Sequence, residues 1–103
     1  MNRTFKAHRM VGTGLTLVYR EKGGVTAQTA GMELAERVAV ALNIHYDAPK
    51  AEGPYVVLDD IAVFDSRFEY LDPEFALVAA RSKAMAARIA NALNAQEAEG
   101  RGS

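Results

Sequence analysis

Five carboxylates crowd into one segment of this chain: Asp59, Asp60, Asp65, Glu69 and Asp72. Paired carboxylates can share general acid and base duty, and clusters of them can hold a divalent cation. A calcium loop needs oxygen ligands at alternate positions about a central glycine, and that spacing is absent. The segment reads instead as a negative surface offered to a basic partner. His8 and His45 are the two histidines and there is no cysteine. Without further donors at ligand spacing, no metal centre is expected. Gly12-Thr13-Gly14-Leu15-Thr16 opens like a phosphate loop, but it lacks the Gly-Lys-Ser/Thr ending and leads into a strand. Ser66 and Ser82 stand outside any Gly-x-Ser-x-Gly context. The residues therefore predict no enzyme, no cofactor and no metal.

A second cluster has the opposite sign. Lys6, Arg9, Arg20 and Lys22, with His8, Phe5 and Tyr19 interleaved, form an alternative contact surface for nucleic acid. Residues 1–22 hold five lysines and arginines against one glutamate, whereas residues 47–75 hold eight carboxylates against two cations. The net charge of −1 and the sequence pI of about 6.1 conceal this asymmetry, and weigh against a dedicated nucleic-acid module.

These side chains need positioning elements. Phe5 to Val11 predicts a first strand. Leu15 to Arg20 alternates, with Leu15, Leu17 and Tyr19 on one face and Thr16, Val18 and Arg20 on the other. Glu21-Lys22-Gly23-Gly24 predicts a hairpin turn, and Val25 to Ala30 the returning strand, broken at Gly31. Met32 to Leu42 has helical spacing: Leu34, Val38, Ala41 and Leu42 share a face, Glu33 and Arg37 pair outside it, and Asn43 is a helix stop. Residues 44–54 form a linker rich in Pro and Gly. Tyr55 to Leu58 is a strand, and Ile61 to Phe64 either continues it or forms another. Phe68 to Tyr70 and Phe75 to Arg81 predict a second hairpin, with Asp72-Pro73-Glu74 as its turn. Ser82 caps a second helix with Met85, Ile89, Ala92 and Leu93 buried, and residues 96–103 form a flexible tail.

A shift of 51 residues lays Tyr19 on Tyr70, Ala35 on Ala86, Arg37 on Arg88 and Ala41-Leu42-Asn43 on Ala92-Leu93-Asn94. Internal repetition of this kind organises a fold. Pseudo-repeats at about 5–43 and 55–94 predict an α+β two-layer sandwich within a single domain over 1–103. Duplicated β-hairpin–helix units would join into one antiparallel sheet with both helices on one face. Neither unit could bury its helix face alone. A dimer of such modules is the alternative.

The two helix ends, Ala35 to Asn43 and Ala86 to Asn94, are similar to those of small phage and prophage proteins in which a hairpin leads into a helix ending in Ala-Leu-Asn. The resemblance implies an accessory protein that acts by binding and inhibiting a host protein, as anti-CRISPR and other anti-defence factors do. It supplies no site residues. Apolar runs too short to cross a bilayer, and an N-terminal segment without a signal-peptide apolar stretch, make cytoplasmic the expected location. The expected partner is a host protein, with nucleic acid as the second choice. A third reading is a structural or self-associating protein, such as a homodimer formed through exposed strand edges.

Overall fold

Three strands precede each helix, and the first of them, predicted over Phe5 to Val11, spans Phe5–Arg9. The computed structural model describes residues 4–21, 23–58, 60–67 and 77–102. In chain order these form β1 (Phe5–Arg9), β2 (Thr16–Arg20), β3 (Gly24–Thr29), α1 (Met32–His45), β4 (Tyr55–Leu58), β5 (Ala62–Asp65), β6 (Val78–Ala80) and α2 (Lys83–Gly102). The strands make one antiparallel sheet ordered β1-β2-β3-β6-β5-β4. The α1 helix packs on β1, β2 and β3, α2 packs on β4, β5 and β6, and the two helices pack on each other. The result is the α+β architecture of one sheet and two helices.

Local chemistry explains the strand boundaries. Gly24 takes φ +86, the left-handed conformation that a tight β2–β3 turn demands, and Gly23 N–H donates to Arg20 C=O at 2.8 Å. Asp60 takes φ 65 between β4 and β5, so Tyr55 to Asp65 is a tight hairpin and not one bulged strand. Phe68 to Tyr70, Phe75 and the Asp72 turn lie outside the described residues. The predicted return strand is present as β6. The helices run longer than their apolar spacing suggested. Asn43 does not stop α1, which continues to His45. Residues 96–102, read as a tail, belong to α2, where Glu97 reaches Arg67 at 2.5 Å and Glu99 reaches His45 at 2.9 Å.

The core lies between sheet and helices. Val38 and Leu42 of α1 and Ile89 and Leu93 of α2 are fully buried against Val18, Val63 and Val78 of the sheet. Each such side chain contributes about 1.5–3 kcal/mol of transfer free energy. Ala35, Ala39, Ala86 and Ala90 are buried as well, and their small size lets the helices approach closely. At the sheet centre, Gln28 faces Ala79, two positions that the 51-residue shift superimposes. Asn43 and Asn94 are also related by it, and each clamps the first residue of an edge strand. Asn43 Oδ1 accepts from Phe5 N–H at 2.7 Å and its Nδ2 donates to Phe5 C=O at 3.0 Å. Asn94 does the same to Tyr55, at 2.9 and 3.0 Å. The shift does not hold throughout, because β5 occupies the place in its half that β2 holds in the first. Tyr70, the expected counterpart of Tyr19, lies outside the described residues.

Candidate functional site

The two described carboxylates of the acidic segment, Asp60 and Asp65, do not share one surface. Asp59, Glu69 and Asp72 lie outside the described residues. Asp60 is on the turn, exposed, with Lys83 Nζ at 3.9 Å. Asp65 is on the helix-facing side of β5 and only 7% exposed. Burial of a carboxylate demands a partner, and Arg67 supplies it. Arg67 Nε donates to Asp65 Oδ1 at 2.8 Å and Nη2 to Oδ2 at 2.6 Å, a bidentate pair. The same guanidinium meets Glu97 on α2 and sits 5.8 Å from the centre of the Tyr55 ring.

The hydrogen bonds from Arg67 hold the Asp65 carboxyl below its ordinary range, against the opposing pull of burial. The Arg67 guanidinium is pushed further above its already high value, first by its hydrogen bond to Asp65. At neutral pH the Asp65 carboxylate is therefore ionised and the Arg67 guanidinium keeps its proton. The cluster ties the end of β5 to α2 and offers no acid–base couple. A cavity of about 490 Å³ beside it is lined by Gly31 and by Leu34 and Arg37 of α1.

The basic cluster is split by the sheet. Lys6 is on the outer face, away from the helices, in register with Tyr19. Arg9 and Arg20 fall on the helix-facing register of β1 and β2, at opposite ends of the hairpin, and both are exposed. Lys22 lies outside the described residues. The outer face thus joins Lys6, His8 and Tyr19, with the His8 and Tyr19 rings edge to face at 6.3 Å.

The alternation of Leu15, Leu17 and Tyr19 is legible in the sequence, but its outcome is not. These larger residues take the outer face, while Thr16 and Val18 are buried under α1. Thr16 pays for its burial by donating to Thr29 C=O at 2.8 Å and bonding Thr29 Oγ1 at 2.9 Å. Three cross-strand rungs therefore stand on the outer face: Lys6 beside Tyr19, His8 beside Leu17, and Met10 beside Leu15, closed by Met10 N–H donating to Leu15 C=O at 2.8 Å. Val25 of β3 stands beside Tyr19 and is 51% exposed. At the tip, Val11 is 98% exposed on a loop fixed by Gly14 N–H donating to Met10 C=O. By contrast, Ala62 and Phe64 on the outer register of β5 are buried. Among the described residues, the outer registers of the six strands carry no carboxylate.

No known protein family, curated protein or solved structure matches the chain. Among the described residues, no group of three or more histidines and carboxylates is placed to hold a metal. No helix among them is long and apolar enough to cross a membrane.

Proposed function

We propose that this protein acts by binding and not by catalysis, through the outer face of β1, β2 and β3. The observation that carries this reading is the ladder of Met10, Leu15, Leu17 and Tyr19, extended by Val11 and Val25, on a face without a second layer of described structure. Contiguous exposed apolar surface is costly to keep and marks an interaction site. Lys6 and His8 border it, so the complementary partner is a protein surface with an apolar centre and acidic margin. An inhibitor of a host protein, of the phage accessory type that the helix ends resemble, is the role this surface serves in our reading. The shared βββα order, the paired asparagine clamps and the Gln28–Ala79 register support reading the halves as copies of one unit.

The test is capture from a bacterial lysate by immobilised wild-type protein, by a Leu17→Asp/Tyr19→Ala variant and by Asp60→Asn. A partner held by wild type and Asp60→Asn but lost from the outer-face variant, with retention weakening as salt rises, supports the proposal. Equal capture by the outer-face variant removes it. The placement of Lys6, His8 and Tyr19 on one face favours a second reading, stacking of single-stranded nucleic acid. Absence of a gel shift at low ionic strength ends that one.

A further inference from the structure

We infer that the cavity beside the first turn of α1, on the helix side of the sheet, is a binding site for a small uncharged molecule with a carbonyl oxygen on an apolar body. It lies across the sheet from the outer face and does not depend on that surface. Its volume of about 490 Å³ falls within the range of small-molecule sites. Ala30, Leu34 and Leu77 give it an apolar wall.

Tyr55 gives the cavity its chemistry. The backbone of this residue is held at the β4 edge by Asn94. Leu34 and Arg37 of α1 line the same cavity, so it is the Tyr55 ring that reaches inward to them. The residue is only 5% exposed. A tyrosine hydroxyl buried to that degree ordinarily finds a partner. The Tyr55 hydroxyl bonds to no other described residue, and it is not sealed off from open space. An open hydroxyl at the wall of a cavity points to a ligand.

The neighbouring groups select the kind of ligand. Arg67 fills both oxygens of Asp65, and Arg37 stands 3.8 Å from Glu33. The wall thus matches two cations with two carboxylates, and no surplus charge is left to attract an ion. What remains open is donor capacity. It comes from the Tyr55 hydroxyl and from the first-turn N–H groups of α1, which Gly31 leaves without a side-chain cap. The positive end of the helix dipole favours an oxygen acceptor at the same place. A carbonyl group supplies that acceptor without a charge.

Three probes share one ring and differ in the polar group: cyclohexanone, cyclohexanecarboxylate and cyclohexylammonium. NMR follows the methyl signals of Leu34 and Leu77 and the ring signals of Tyr55. Cyclohexanone at millimolar concentration is expected to shift all of them saturably, and the two ions to bind more weakly. Tyr55→Phe keeps the ring and the Asn94 clamp, and is expected to weaken cyclohexanone binding about fivefold. Leu34→Trp fills the cavity from α1 and is expected to abolish binding. The inference is overturned if no saturable shift appears, or if Tyr55→Phe or Leu34→Trp binds as wild type does. Tighter binding of either ion than of the ketone also overturns it, because charge would then be what the site reads.

Discussion

Asn94 grips Tyr55 by both backbone groups, accepting from its N–H at 2.9 Å and donating to its C=O at 3.0 Å. The amide lies at the middle of α2 and Tyr55 opens the edge strand β4, so one side chain fixes helix to sheet and blocks the first rung of the open edge. Asn43 and Phe5 repeat the arrangement on the opposite edge. There the ring of Phe5 also stacks on Tyr46 at 5.6 Å. The two clamps differ in surroundings: Asn94 is 5% exposed, whereas Asn43 is open to solvent.

That difference predicts unequal costs. Asn94→Ala leaves two buried backbone groups unpaired and is expected to cost about 2–3 kcal/mol. Asn43→Ala lets water replace the amide and is expected to cost about 1 kcal/mol. Urea denaturation of the two variants checks the order.

Gly53 supports the Asn94 clamp through its missing side chain. A Cβ there would collide with Asn94 Oδ1. Gly53→Ala is expected to destabilise the fold by about 1–3 kcal/mol. The loss should shrink in the Asn94→Ala background, which removes the Oδ1 and Cγ collisions and leaves only the tight contact with Cβ at 3.0 Å. Additive losses in the double-mutant cycle would refute the coupling.

The Asp65–Arg67 pair predicts an acid-sensitive contribution to stability. The folded pKa of Asp65 lies below its unfolded value, for which about 3.9 is ordinary. Its contribution is therefore complete above the unfolded pKa and lost as pH falls through the folded one. Asp65→Asn is expected to lower stability at neutral pH and to flatten the decline below about pH 4. Denaturation midpoints across an acid series test this; a parallel decline in both proteins would contradict it.

Adjacent residues of β2 should respond in opposite ways. Val18 is buried, and Val18→Ala is expected to cost about 2 kcal/mol. Leu17 faces outward, and Leu17→Ser is expected to change stability by no more than about 0.5 kcal/mol. Thermal unfolding of the pair distinguishes the outer face, open to solvent, from the inner face, which is core.

The sequence by itself determined the helices, the alternation of the first hairpin's strands and the apolar spacing of Val38, Leu42, Ile89 and Leu93. Those follow from local periodicity and turn chemistry, and the repeated Ala-Leu-Asn, read as the end of each helix, drew notice to the two asparagines without showing their role. Only the tertiary structure decided what the asparagines do, because a helix-stop residue and a clamp have the same local chemistry until a strand lies beside them. It also decided which face of β2 is core: alternation defines two faces, and the position of α1 chooses between them. The fate of Asp65 was settled the same way. A carboxylate in an acidic stretch looks like surface until the sheet turns it inward and brings Arg67 and Glu97 around it.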